Sequence, residues 1–379
     1  MDIIGIICEY NPLHLGHQKQ IKQIRAEKPD SAVVCMMSGN FVQRGKPAIL
    51  SKDLRAQAAI RCGADLVLEL PVTASLASAE RFAAEGVRLL GSFCTKLCFG
   101  AETADRDTLL RTAKALLSDE FKTALREQLD SGLSFPAARQ AALASMGLDA
   151  EILSRPNDIL AVEYCKAILS QGLSMEIMPI VRQGDYHDPV ADEENPSATA
   201  VRSLMENGGN WQIHLPAEAA ACFAHAPLHT LAAGERAILA RLRTMLDAEF
   251  EALPYGSEGL WRKLMHAARR ENTLEDILCA VKSKRYTRSR LDRMVMCAFL
   301  GLTETDLSSP APYARVLALN DTGRQVLKLA RETSLYPNAG DRLDHPFEAI
   351  EHRCDSLYGL FCSEAPQTPA PEYRVYYQK

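Results

Sequence analysis

Ile3-Ile4-Gly5-Ile6-Ile7-Cys8-Glu9-Tyr10-Asn11-Pro12-Leu13-His14-Leu15-Gly16-His17 follows Met1-Asp2 and decides the fold. Ile3 to Cys8 is a continuous apolar run rich in β-branched residues, the pattern of a strand buried on both faces. Pro12 ends it, because proline has no N–H to give to a ladder. His14 to His17 then lie where the strand turns into a helix. The N–H groups at a helix start lack intrahelical acceptors and carry partial positive charge, a setting that suits phosphate. Gly16 lets a ligand come close to the backbone, and two imidazoles beside it can donate to phosphate oxygens. These parts point to nucleoside triphosphate chemistry.

Outward from this stretch, strand and helix signals alternate. Helices are predicted over Gly16–Glu27, Lys52–Cys62 (with Ser51 as N-cap), Ala79–Leu90 (ending at Gly91) and Asn157–Leu169. Further strands are predicted over Ala32–Met37, Leu66–Leu70, Lys96–Phe99 and Met175–Val181, and one long helical stretch over about 105–146. This rhythm predicts an α/β fold with a doubly wound, mostly parallel sheet and right-handed crossovers. Ligands of such sheets bind beyond the C-terminal strand ends. His14-x-Gly16-His17, Ser38-Gly39-Asn40, Gly100-Ala101-Glu102 and Arg182 all fall there. After a break at Gly208-Gly209 the pattern is helical from 216 to 335, with no convincing strand. The expected organisation is a nucleotide-binding domain over 1–208, an all-helical C-terminal domain over 209–365 and a Pro-rich tail over 366–379, extended or loosely held.

Composition sets the outer limits. The 379 residues are 47% hydrophobic and 24% charged, the balance of a soluble globular protein. No apolar run approaches the ~20 residues that span a bilayer, and the N-terminus lacks a basic region and cleavage site, so neither a membrane nor a signal peptide is read. Eleven cysteines are scattered singly, which fits small buried side chains in a reducing cytoplasm. Net charge is −5, yet residues 261–300 hold ten Lys/Arg against four Asp/Glu, a local +6. Such a segment in an acidic chain is a candidate polyanion footprint.

Four further groups carry chemistry. Asn195-Pro196-Ser197-Ala198-Thr199-Ala200-Val201-Arg202 places two hydroxyls and a guanidinium at a helix start, the parts that hold β- and γ-phosphates; taken alone it would read as a plain N-cap. Asn157, after Arg155-Pro156, suits either a base or ribose edge or a helix N-cap. Ser38 to Gly45 is a long polar turn with one aromatic and one cation, a mobile lid or a substrate loop. Lys282, Lys284, Arg285, Tyr286, Arg288 and Arg290 interleave cations with an aromatic, which suits a nucleic-acid backbone and one stacked base; a solvated helix face is the plainer reading. His14 and His17 could also ligate a metal, but no Asp or Cys cluster completes a site, so none is assigned.

The His14-x-Gly16-His17 and Ser197-x-Thr199-x-x-Arg202 pair resembles the HxGH nucleotidyltransferase superfamily related to class I aminoacyl-tRNA synthetases. Glu9-Tyr10-Asn11-Pro12-Leu13-His14-Leu15-Gly16-His17, Met37-Ser38-Gly39-Asn40-Phe41, Gln43-Arg44-Gly45, Phe99-Gly100-Ala101-Glu102, Pro156-Asn157-Asp158-Ile159-Leu160 and Lys284-Arg285-Tyr286-Thr287-Arg288 together resemble the bacterial tRNA(Met) cytidine acetate ligases. The family often has Phe before and Asn within the histidine motif, where this chain has Leu13 and Leu15. The resemblance implies a Rossmann-like fold. It also implies a reaction in which ATP and acetate give acetyl-adenylate, and the acetyl group passes to N4 of the wobble cytidine in the anticodon of elongator tRNA(Met). It implies that Ile7, Cys8, Glu9, Tyr10, Asn11, Pro12, Leu13, His14, Leu15, Gly16, His17, Gln18, Lys19 and Gln20 wrap ATP, with His14 and His17 as the catalytic pair. Gly100, Asn157 and Arg182 would complete the nucleotide site. Ser197, Thr199 and Arg202 would hold the outer phosphates, and Mg²⁺ would accompany ATP. Two alternatives stay open: another nucleotidyltransferase with a small-molecule acceptor, and a non-catalytic RNA-binding protein.

Overall fold

The computed structural model describes residues 2–182, 196–330, 345–365, 367 and 375–379. Asn195, Pro366, Pro369 and Pro371 lie outside the described residues. The central sheet has seven strands. In chain order its members are β1 (Ile3–Cys8), β2 (Ala32–Ser38), β5 (Leu66–Leu70), β6 (Lys96–Ala101), β7 (Glu176–Val181), β8 (Arg315–Leu319) and β9 (Tyr376–Tyr377). A separate two-stranded hairpin, β3 (Phe41–Val42) with β4 (Lys46–Pro47), fills the connection after β2.

The sheet order is β7-β6-β1-β2-β5-β8-β9. β7, β6, β1, β2 and β5 run parallel. From β1 the chain moves outward through β2 to β5, then returns to β6 and β7 on the opposite side. The direction of winding therefore reverses between β1 and β6, and a crevice opens beyond their C-terminal ends. Every residue of β1, β2 and β5 is buried, as expected for strands covered on both faces. One face carries the helices Ala79–Leu90, Arg106–Leu117 and Pro156–Ser170; Ile3, Ile7, Val34 and Leu68 look into it. The other carries Leu15–Glu27, Lys52–Arg61, Ala198–Glu206 and Ala217–Phe223, packed on Ile4, Ile6, Val33 and Val67.

Two expectations change. The stretch over 105–146 is three helices, Arg106–Leu117, Asp119–Asp130 and Phe135–Ser145. Ser118 separates the first two, its Oγ accepting from the Phe121 N–H to start a new helix. Residues 216–335 are not free of strand: β8 pairs antiparallel with β5. The end of the tail is extended, and it is held as β9, parallel to β8. The later helices build a core of their own, from Ile238 through Leu307 and from Ile350 to Phe361, into which Phe41, Val72 and Leu76 reach from the first half of the chain.

Candidate active site

Two imidazoles cap the helix that follows β1. His14 holds the cap position of Leu15–Glu27, and its Nδ1 accepts from the Gly16 N–H at 3.1 Å. The Nδ1 of His17 accepts in return from the His14 N–H at 3.3 Å. A ring nitrogen that accepts carries no proton, so each neutral ring bears its N–H at Nε2. The ring centroids lie 3.8 Å apart, and Tyr10 meets His17 edge-on at 5.0 Å. His14 is buried, His17 half-buried. His14 Nε2 has no hydrogen-bond partner among the described residues. Burial holds the His14 pKa well below the ordinary imidazole value, and His17, Arg182 and Arg202 push it the same way. Burial, then Arg182, brings His17 down to about 3. Near neutral pH both rings are uncharged N–H donors. Gly16 keeps them in place: a Cβ there would fall 3.0 Å from His14 Cε1 and 3.1 Å from its Nδ1.

The phosphate-type residues gather from distant segments. Ser197 caps Ala198–Glu206, its Oγ accepting from the Ala200 N–H at 3.0 Å. Arg202 donates from Nη1 to the Asn11 carbonyl at 2.7 Å and from Nη2 to Thr199 Oγ1 at 3.1 Å. That bond ties the helix to the loop carrying His14. Gly100 lies in β6, next to β1. Arg182 follows β7, its N–H donating to the Ala101 carbonyl and its Nη1 to Asn157 Oδ1 at 3.0 Å. His14, His17, Arg182 and Arg202 thus share one electrostatic neighbourhood at the switch point. Within the first loop the side chains of Ile7, Cys8, Tyr10 and Leu13 are buried in the core, so they offer a ligand backbone only. Gln18 and Gln20 are half-buried on the following helix, and Lys19 is exposed there.

Asn157 is not the helix cap, and its amide is held by two neighbours. Arg155 holds the cap of Pro156–Ser170 and supplies no side-chain bond to the free N–H groups there. Both ends of the Asn157 amide are taken: Nδ2 donates to Glu102 Oε1 at 2.6 Å while Oδ1 accepts from Arg182. Glu102 supplies the missing cap from another segment, Oε2 accepting from the Asp158 N–H at 2.8 Å. Buried Asp158 accepts from the Thr103 N–H and hydroxyl at 2.7 and 2.8 Å. Glu102 and Asp158 flank Gly100 and Asn157 in sequence, which is the signal that could have found them.

Arg55 is the other residue that sequence reasoning missed. It is fully buried. Its guanidinium donates to the carbonyls of Leu50 at 2.9 Å, Glu9 at 2.6 Å, Ser38 at 3.1 Å, and Gly39. It therefore binds together the loops that leave β1 and β2. The Ser38–Gly45 turn, expected as a lid or substrate loop, is anchored. Phe41 is buried against Tyr358 and Phe361, and the Gln43 N–H donates to Glu9 Oε1 at 2.9 Å. Gly45, at φ 74°, sits where a Cβ would fall 2.4 Å from the Arg293 backbone nitrogen.

The basic run is largely engaged within the protein. Arg285 pairs with Glu258 at 2.8 Å. Arg288 pairs with Glu275 and Asp292 at 2.6 and 2.9 Å. Arg290 donates to the Tyr255 carbonyl and Ser257 Oγ, both at 2.9 Å. Tyr286 is buried with the Arg290 guanidinium over its ring, so it has no face on which to stack a base. Lys282 and Lys284 are exposed. Among the described residues no cluster of three His, Cys, Asp or Glu side chains is arranged to hold a metal, and no helix is long and apolar enough to cross a membrane.

A Rossmann-type sheet with a His-x-Gly-His helix cap at its switch point defines a nucleotidyltransferase-class protein. A family model described as HIGH Nucleotidyl Transferase matches residues 1–367. A curated relative from Clostridium novyi, "tRNA(Met) cytidine acetate ligase", is 37% identical over 89% of each chain. One of the same name from Clostridium acetobutylicum is 32% identical over 92% of each. Crystal structures of Thermotoga maritima TmcAL, one apo and one bound with alpha-thio ATP, superpose with TM-scores of 0.90 and 0.88 at 28% identity over 100% of both chains. The chain belongs to the HIGH nucleotidyl transferase family, within its tRNA(Met) cytidine acetate ligases.

Proposed function

We propose that this chain is an AMP-forming ligase that acetylates N4 of the wobble cytidine of elongator tRNA(Met), using ATP and acetate in the cytoplasm. The observation that carries the reading is the pair of capped imidazoles, each fixed with its Nε2–H as a donor at the sheet's switch point. In the first half-reaction an acetate oxygen attacks the α-phosphorus. A P–O bond forms, the bond to the β-phosphate bridge breaks, and pyrophosphate leaves. Negative charge grows on the α-phosphate and leaving oxygens, where His14, His17 and the helix N-terminus can donate. Neutral rings give hydrogen bonds there without surrendering a proton. Ser197, Thr199 and Arg202 serve the outer phosphates, and Gly100, Asn157 and Arg182 the remaining nucleotide contacts. In the second half the cytidine N4 attacks the acetyl carbonyl, the C–O bond to AMP breaks, and N4 loses a proton. No covalent enzyme intermediate is needed, so catalysis rests on positioning and charge stabilisation. The described residues supply no carboxylate cage; Mg²⁺ would arrive on the phosphates of ATP, as is usual for this ion.

The test is acetyl-AMP formation from labelled acetate and ATP without RNA, then label transfer to tRNA(Met). His17→Ala should lower the adenylation rate about 100- to 1000-fold, the usual cost of one such donor, and leave the thermal melt in place. Undiminished adenylate from the variant removes the role given to His17. No acetate-dependent pyrophosphate release from the parent protein removes the ligase reading.

A further inference from the structure

The helix Leu260–Arg270 segregates its charge sharply. At about 100° per residue, Arg262, Lys263, His266, Arg269 and Arg270 fall within an arc of about 120°, and all five are exposed. Leu260, Leu264, Met265, Ala267 and Ala268 form its buried face. No acid lies on this helix. Arg269 pairs with Asp247 at 2.5 Å, and the Arg262 guanidinium rests over Trp261, 4.9 Å from its centroid. The basic run at 282–290 looks richer in sequence, but most of its cations are spoken for. Arg285 and the Tyr286 hydroxyl hold Glu258, and Arg290 holds Tyr255 and Ser257. Those partners form the turn that leads into Leu260–Arg270, so the run braces the start of the helix. The same turn reaches the first half of the chain: the Tyr255 hydroxyl donates to the Leu76 carbonyl at 2.8 Å, at the end of the short helix Val72–Ser75 that follows the C-terminal end of β5. The N-terminus of the basic helix is thereby fixed on the site's side of the molecule.

The geometry points to Leu260–Arg270 as the surface that tracks the RNA phosphate backbone, with the 285–290 run as its brace. This inference rests on the tRNA reading above and names where the tRNA lies. From residue 262 to 270 the face spans about 12 Å at 1.5 Å per residue, long enough for its cations to meet about three successive phosphates of one strand. Sequence-independent cations of this kind give salt-sensitive affinity, and each lost phosphate contact lowers the slope of log K against log salt by about 0.7 to 0.9.

The experiment measures binding of a tRNA(Met) transcript by fluorescence anisotropy across a salt series. The combined variant Arg262→Gln, Lys263→Gln, Arg270→Gln should bind at least tenfold more weakly, with a slope lower by about 2 to 3, and should form acetyl-AMP from acetate and ATP at the parent rate. Arg262→Lys with Arg270→Lys, which keeps the charge, should restore the slope. Parent-like affinity and slope in the glutamine variant overturn the assignment while tRNA binding stands. Failure of the parent protein to bind tRNA overturns both the assignment and the tRNA reading. Loss of adenylation together with binding, unrescued by the lysine variant, marks the face as structural and overturns it too.

Discussion

Glu351→Gln should stabilise this protein, and by an amount that grows with pH. Glu351 lies on the helix Pro346–Tyr358, is 5% exposed, and accepts from the Val72 N–H at 2.8 Å. Around it are Glu69 of β5, Asp355 one turn along, and Lys52, with Asp53 beside the lysine and Arg315 of β8 acting on Glu69. Lys52 is buried and pairs with Glu69 and Asp355, each at 2.7 Å. One lysine held by two carboxylates cannot also neutralise a third. Burial first, and then the Glu69 charge, push Glu351 up from 4.5 to about 8. The sign follows. Between those values the folded protein keeps a proton that the unfolded chain has released, so stability falls as pH rises through the window and the loss is complete above about 8. At about 1.4 kcal/mol per unit, the penalty is about 3 kcal/mol at pH 7 and about 5 kcal/mol above pH 8, an upper limit because Glu69 competes for the same proton. A glutamine keeps the acceptor for Val72. It carries no charge for Glu69 to oppose. Urea unfolding of both proteins from pH 5 to pH 9 measures this. The difference should be small at pH 5 and largest above pH 8. A constant difference across the series, or a variant less stable at pH 8, refutes the charge argument.

Gly16→Ala should leave the fold intact but displace the His14 ring, which lies 3.0 Å from the added carbon; adenylation kcat should fall about 100-fold, as displacements near 1 Å do, and unchanged kcat would remove the spacing argument. Arg55→Gln strips a buried guanidinium from the carbonyls of Glu9, Ser38, Gly39 and Leu50 and should cost about 3 to 5 kcal/mol in chemical unfolding. Glu102→Gln loses one acceptor from the bonds that hold Asn157 and Asp158, loosening Arg182 through Asn157. It should raise the ATP KM several-fold more than it lowers kcat, and a pure kcat effect in steady-state kinetics would contradict it.

The parallel strands were legible because each is a compact apolar run closed by a breaker. Ala32–Met37 was expected and Ala32–Ser38 is observed; Leu66–Leu70 is unchanged. β8 was hidden because Arg315–Leu319 stands among helices, outside the strand–helix alternation that singled out the equally short Leu66–Leu70, and a short apolar run alone does not separate strand from helix by period. Only its pairing with β5, some 250 residues earlier, makes it a strand. The histidine pair stood out because strand, breaker, histidines and helix follow one another in sequence. Arg55 and Glu102 did not, since their work is defined by partners far along the chain. A faint sign of Arg55 exists: Lys52, Arg55, Ala56 and Ala59 share helical spacing, and all four are buried. In the basic run, counting charges could not separate cations paired inside the protein from cations facing solvent.

A two-step reaction of the proposed kind makes a reactive mixed anhydride before the second substrate is used, so the wall of the nucleotide site and the helix proposed to meet the RNA must keep a fixed relation. The β3–β4 hairpin supplies that relation. On one side the Gln43 N–H is held by the carboxylate of Glu9, in the loop that leads to His14. On the other, the Gln43 carbonyl accepts from Arg293, and Gly45 lies against the backbone of Asp292 and Arg293 in the helix Arg288–Leu300. That helix begins with Arg288 and Arg290, and Arg290 in turn holds the turn before Leu260–Arg270. Each link is a hydrogen bond or a close backbone contact, and the packing of Gly45 on the helix leaves little room for displacement. A change of the hairpin that left both halves folded would therefore separate adenylation from transfer: the first would continue, and the second would lose its geometry.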